Sequence, residues 1–250
     1  LLVDPATDQV LGRSLGGKIV PYPTRAEIEQ DPARLGLAGQ EIAWFKDKFE
    51  AFLVQVQGAA RLELVGGDGP IYLGYAANNG RPYTSIGKLL AAENRMEKEK
   101  INTQSIHAFF REHPDELDGY LNRNDRYIFF RETSPNNWPT GCLGFEVTPL
   151  RSLATDKAIY PRAGVVLVKT KLAAPGGGAE PFEQLMVDQD AGGAIRAPGR
   201  GDIYVGLGDA AGEIAGRQAY SGKLYYFLLK PERLASWAEK PDQKPGPDGS

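Results

Sequence analysis

"DQDAGGAIRAPGRGDIYVG", Asp188 to Gly206, is the stretch that decides how this chain is read. Acids and glycines surround a short loop with a β-like run on each side. Asp190 follows the apolar run "LMV", and Asp202 opens "IYVGLG". Aspartate beside glycine is ordinarily a turn former. Here both acids stand at strand ends rather than at a hairpin tip, where a turn former belongs. The pair Gly192 and Gly193 would let an extended ligand approach the backbone closely.

Outward from this loop, "AGVVLVKT" (163–170), "EQLMVDQD" (183–190), "DIYVGLG" (202–208) and "KLYYFLLK" (223–230) read as short strands. One helix is expected near "DAAGEIAG" (209–216), and "APGGGAEP" (174–181) is a surface loop between two strands. This β texture begins near Thr140. Before it the chain is helical: Ser85 caps "IGKLLAAENRM", Ile106, Phe109 and Phe110 form an apolar stripe, and Pro114 suits a first helical turn ahead of Leu117, Tyr120 and Leu121. "RYIFFRE" (126–132) follows as a strand. In the first third, Thr24 and Glu27 make a capping box. "EIAWFKDKFEAFL" (41–53) puts Ile42, Phe45, Phe49 and Phe52 on one helical face. "ARLEL", "VGGDGP" and "IYLGYA" then read as a hairpin with Leu62 and Leu64 facing Ile71 and Leu73. The polar, proline-rich end "EKPDQKPGPDGS" is expected to be a disordered tail.

Composition removes several function classes. The 250 residues carry 29 basic and 32 acidic side chains without a long run of either sign, so no nucleic-acid partner is expected. Cys142 is the single cysteine, which excludes an internal disulfide and a cysteine metal cluster. His107 and His113 read as ordinary helix residues. Six positions apart, they share no helical face for a metal, so no metal and no cofactor is expected. "GLGDAAG" lacks the βαβ setting of a dinucleotide loop. No apolar run approaches the ~18 residues of a membrane span. The start at Leu1 without methionine reads as a processing boundary, where a targeting segment has been removed. Carboxylates remain as the candidates for chemistry.

"LATDKAIYP", "DAGGAIR" and "RGDIYVG" resemble the three segments of the domain named for its three aspartates, here Asp156, Asp190 and Asp202. Upstream, "VPYPTRAEIE", "FLVQVQGAARL", "GYAANNGRPYTSIGKLL", "QSIHAFFREHP" and "LNRNDRYIFFRE" are similar, in order, to the membrane-bound lytic murein transglycosylase A family. The resemblance implies a mainly β chain with minor α: a double-psi β-barrel over residues 140–235, an inserted β-rich domain with helices over 1–139, a glycan groove between them, and a tail over 236–250. It implies non-hydrolytic cleavage of peptidoglycan in the periplasm or cell envelope, by a monomer that is membrane-anchored through a removed N-terminal segment. Asp202 would be the single acid/base, Asp190 would tune and position it, and Asp156 would fix loop geometry. Gln57, Tyr75, Tyr83, Ser85 and Lys88 would bind the sugar, beside Gly192 and Gly193. Departures are Ala59 and Ala60 in "QGAAR", Ala163 and Ala197 where glycine is usual, and no upstream Gly-Tyr-Tyr-x-Pro motif in these residues. A non-catalytic glycan-binding module of the expansin type and a hydrolase using Asp190 and Asp202 as a pair stay open.

Overall fold

The computed structural model describes residues 2–3, 10–67 and 69–238. The N-terminal portion begins with a small antiparallel sheet of β1 (Leu2–Val3), β2 (Val10–Leu15) and β3 (Lys18–Val20). Helix α1 (Arg25–Gln30) opens on the capping box: Thr24 accepts from the Glu27 N–H, and the Glu27 carboxylate accepts the Thr24 N–H at 2.8 Å. Helix α2 (Lys48–Gln57) starts later than the apolar period from Glu41 suggests. Asp47 intervenes as its N-cap, accepting the Phe49 and Glu50 N–H groups at 2.7 and 3.3 Å. Ile42 and Phe45 therefore fall outside the helix, while Phe49 and Phe52 are buried.

Strands β4 (Ala59–Glu63) and β5 (Pro70–Asn78) form the expected hairpin, and β6 (Ile128–Glu132) pairs with β5. Leu62 faces Ile71, but Leu73 faces Ala60 and Leu64 lies beyond the strand end. Helices α3 (Ile86–Ala92), α4 (Thr103–Glu112) and α5 (Leu117–Leu121) lie in the sequence between β5 and β6. Phe49, Phe52, Ile86, Leu90, Phe110, Tyr120 and Leu121 form one apolar core drawn from α2 to α5.

A second core belongs to the C-terminal sheet of β7 (Ser152–Thr155), β8 (Gly164–Ala173), β9 (Ala179–Asp190), β10 (Gly201–Ile203) and β11 (Lys223–Phe227), in the order β10-β7-β9-β8-β11. Leu153, Val166, Val168 and Met186 are its centre, flanked by Ile203, Leu224 and Tyr226. Helix α6 (Gly208–Arg217) precedes β11. The run "DIYVGLG" is strand only to Ile203. Gly206 and Gly208 take φ of +117° and +83°, which turn the chain out of the ladder. Helix α7 (Pro231–Ala238) extends three residues into the segment expected as a tail, and 239–250 lie outside the described residues.

This sheet is curled but open, where the family resemblance implies a closed barrel. A Cβ placed on Gly201 of β10 would stand 3.5 Å from Leu224 Cδ1 of β11, so the two edge strands approach across the core. No backbone ladder joins them among the described residues, and barrel closure requires one. Strand alternation leaves Val165, Leu185, Val187, Tyr225 and Phe227 together on the exposed outer face.

Candidate active site

Strands β7 and β9 are parallel, so both run out at the same edge of the sheet, and β10 enters antiparallel beside β7 from that edge. Asp156 immediately follows β7, Asp190 ends β9, and Asp202 is the middle residue of β10. Ala154 is the register partner of both Asp190 and Asp202, which sets their backbones two strands apart, about 10 Å. A register shift that skips Gln189 lets Asp188 pair beside Leu153 while Asp190 pairs beside Ala154.

The three aspartates have different surroundings. Asp202 is half-exposed, and both its oxygens accept from Arg200, Nε and Nη2 each at 3.0 Å. Asp156 is buried: its carboxylate accepts the Ala158 N–H at 3.1 Å and meets Arg196 at 3.4 Å, while its carbonyl accepts Ile159 and Tyr160. Asp190 accepts the Cys142 N–H at 3.0 Å. Burial pushes the Asp190 carboxyl above the usual carboxylate range, against the N–H groups of Ala191 and Cys142 and the charge of Lys157. A raised folded value means the native state binds that proton more tightly, so its contribution to stability falls as pH rises from the unfolded value of about 4. Asp190→Asn is therefore expected to raise Tm at pH 7, with the gain fading toward pH 3. A lower Tm at pH 7 would show instead that the charged form is favoured there.

Sequence reasoning missed the support beneath this edge. Asp188 is fully buried, ion-paired with Lys157, and accepts Thr155 Oγ1 and Tyr226 OH at 2.6 Å each. Burial, then the bond to Asp188, drives the Tyr226 phenol well above its ordinary value. Tyr226 stacks on Tyr160 with ring centroids 4.9 Å apart, and Tyr160 OH accepts the Gly199 N–H at 2.7 Å. A continuous chain of contacts thus runs from the core to the loop that carries Arg200 and Asp202. The signal for it was the alternation in "LMVDQD", which puts Asp188 on the same inward face as Met186.

The facing wall comes from the loop between β5 and α3. Buried Asn79 donates to Pro23 O and Asp125 O and accepts the Tyr127 N–H, and buried Asn124 accepts the Thr84 N–H at 3.0 Å. These amides hold the backbone at Tyr83 and Ser85. Burial raises the Tyr83 phenol, opposed by Ser85 and by the charge of Arg200, so Tyr83 lies within electrostatic reach of the guanidinium that grips Asp202. A second crossing joins Tyr75, Arg126 and Gly193. Tyr75 OH accepts from Asn78 at 2.6 Å and lies in the field of Arg126. A Cβ on Gly193 would come within 2.7 Å of the Arg126 guanidinium carbon. Gly192 is similarly covered by Ile195 at 2.9 Å, so the close approach at both glycines is made by the protein's own side chains.

Tyr83 and Ser85 also line an apolar cleft of about 260 Å³, with Phe49, Val56, Ile106 and, from α6, Ala215 and Gly216. Gln57 is exposed at the end of α2 next to Val56. Lys88 is exposed on α3, and its N–H donates to the Ser85 cap at 3.4 Å. Away from this site, Asp47, Glu50 and His107 bring one possible metal ligand each within 4.8 Å. Both Asp47 oxygens are already engaged there, one as the α2 cap and one with His107 Nε2 at 2.6 Å, so hydrogen bonding within the protein accounts for the cluster.

Family models match both portions of the chain: the MltA specific insert domain over residues 2–131 and the 3D domain over 151–228. The chain belongs to the membrane-bound lytic murein transglycosylase A (MltA) family. Among MltA relatives, the membrane-bound lytic murein transglycosylase A of Vibrio cholerae is 29% identical over 227 residues, covering 89% of this chain and 60% of the relative. The crystal structure of a membrane-bound lytic murein transglycosylase from Agrobacterium tumefaciens is 34% identical with a TM-score of 0.79, covering 92% of this chain and 62% of that one. Escherichia coli MltA with bound chitohexaose is 26% identical with a TM-score of 0.71, over 89% and 66%. The chain therefore spans about three-fifths of the MltA relatives it matches. Those relatives share its architecture of mostly strands with some helices.

Proposed function

We propose that this chain cleaves the β-1,4 bond between N-acetylmuramic acid and N-acetylglucosamine in peptidoglycan without adding water, leaving 1,6-anhydromuramoyl ends. The observation that carries this is the meeting of Asp156, Asp190 and Asp202 at one sheet edge, opposite Tyr83, in an MltA-family chain. Asp202 is the group open to a ligand. As acid it protonates the departing glycosidic oxygen. As base it then takes the proton of the muramoyl C6 hydroxyl, whose oxygen closes on the anomeric carbon of the same ring. One carboxyl serves both halves because the nucleophile belongs to the substrate, whereas a hydrolase needs a second group for water.

Half-buried Asp190 tunes the charge at this edge, and Asp156 shapes the turn that presents Tyr160. Tyr75 and Tyr83 offer aromatic faces to pyranose rings, while Gln57, Ser85 and Lys88 offer polar contacts to N-acetyl and hydroxyl groups. Gly192 and Gly193 make room for Ile195 and Arg126, so their part in the site is to let this loop pack rather than to touch the glycan strand. An oligosaccharide bound to the Escherichia coli relative supports a glycan as ligand. Two separate cores support an inserted domain over 1–139 and a catalytic unit over 140–235. The approach of the edge strands β10 and β11 across one core, at Gly201 and Leu224, supports reading the curled sheet as part of a double-psi barrel. No helix among the described residues is long and apolar enough to cross a membrane, and relatives named membrane-bound support a cell-envelope location with anchoring outside these residues.

Digestion of sacculi in heavy-oxygen water tests the reaction. A C6 hydroxyl tethered to its own ring reaches effective concentrations of about 10⁵–10⁸ M, far above water. Anhydromuramoyl ends free of label are expected. Label at the muramic anomeric carbon would establish hydrolysis instead, and binding without turnover would leave a glycan-binding module.

A further inference from the structure

The grip of Arg200 on Asp202 conflicts with the role proposed for Asp202. A guanidinium has donors and no acceptor, so two N–H groups on two carboxylate oxygens at 3.0 Å suit only the charged carboxylate. A protonated Asp202 would set its own O–H donor against a guanidinium N–H, a donor facing a donor. Before Asp202 can give a proton to the leaving oxygen, Arg200 has to let go.

Arg200 is placed to do so. Its side chain is half-exposed, as is that of Asp202, and such pairs are weak enough to exchange partners. Its Nη1 is held by Ala194 O at 2.8 Å, which keeps the base of the guanidinium at the loop when the carboxylate is released. Tyr83, on the loop between β5 and α3, lies in its field. Tyr160, through Gly199, anchors the adjoining backbone to the core.

We propose that Arg200 is a positioning residue that changes carboxylate partner: it holds Asp202 as seen here and passes to the lactyl carboxylate of a muramoyl residue whose stem peptide has been removed, where that group is a free anion rather than an amide. Asp202, released, takes a proton from solvent and becomes the acid. Arg200 thereby couples activation to an anionic glycan and discriminates against a neutral strand of the same backbone. This rests on Asp202 being the acid/base.

The test uses peptide-free glycan strands with free lactyl carboxylates, the same strands after conversion of those carboxylates to methylamides, and peptide-bearing strands. The parent chain is expected to favour free-carboxylate over amidated strands by about tenfold in kcat/KM, the scale of one charge-assisted contact. Arg200→Gln should lose that preference and cleave amidated strands with a higher kcat than the parent, a gain that damage to the loop would not produce. Arg200→Lys should retain a preference for the anionic strand. An unchanged preference in Arg200→Gln, or a kcat on amidated strands no higher than the parent's, would overturn the exchange. Arg200 dependence confined to peptide-bearing strands would overturn the lactyl assignment. Absence of anhydro ends from the parent on every strand would instead be a failure of the reaction proposed above.

Discussion

Asp202→Asn is expected to lower glycan cleavage by about 10²–10⁴-fold, the range that one general acid/base group contributes. The upper end applies where a single carboxyl both gives and takes the proton. Asparagine preserves the shape of the side chain and its place in β10 opposite Ala154, but it cannot exchange a proton. The fold should be untouched, because the pair lost with Arg200 is half-exposed and contributes about 0–1 kcal/mol. Strand binding should persist, which makes this variant suitable for trapping a complex. Turnover within tenfold of the parent, measured as anhydromuramoyl ends released from sacculi, would place the proton carrier elsewhere.

Asp188→Ala should produce the largest loss of stability. Asp188 has no solvent exposure, and its partner Lys157 keeps 9%. Removal leaves a buried ammonium unpaired and takes the acceptor from Thr155 and Tyr226. Breaking such a pair from one side costs about 3–5 kcal/mol, and in a chain of this size that lowers Tm by roughly 10 °C. Replacing both charges, with Asp188→Leu and Lys157→Met together, should recover most of the loss because no unpaired charge remains. A single variant that melts within about 2 °C of the parent would mean that water or another group satisfies Lys157. Cleavage measured below the melting range should still fall in Asp188→Ala. The Tyr226–Tyr160–Gly199 contacts that steady the Asp202 loop begin at Asp188.

Local chemistry made much of this molecule legible from its residues. Thr24 with Glu27 and Ser85 ahead of Ile86 announce helix starts, because a side-chain oxygen beside an unpaired N–H is a local interaction. The β5–β6 pairing was not legible, because it joins residues about fifty positions apart. The late start of α2 was hidden for a related reason. Apolar period from Ile42 to Phe52 was real, but Asp47 won the contest for the first N–H groups.

At the site, the motif segments by themselves made Asp156, Asp190 and Asp202 conspicuous as candidates, while Asp188 drew no role. Their meeting, and the difference among them, belongs to tertiary structure. Parallel pairing of β7 with β9 brings Asp156 and Asp190 to one edge, and antiparallel β10 returns Asp202 to it. Burial then separates residues of one type: Asp188 neutralises Lys157 in the core, Asp190 has its carboxyl titration raised, and Asp202 faces solvent in the grip of Arg200. Composition assigns all four the same carboxyl. Their protonation and reach depend on solvent access and on partners that are distant in the chain, and folding alone supplies those.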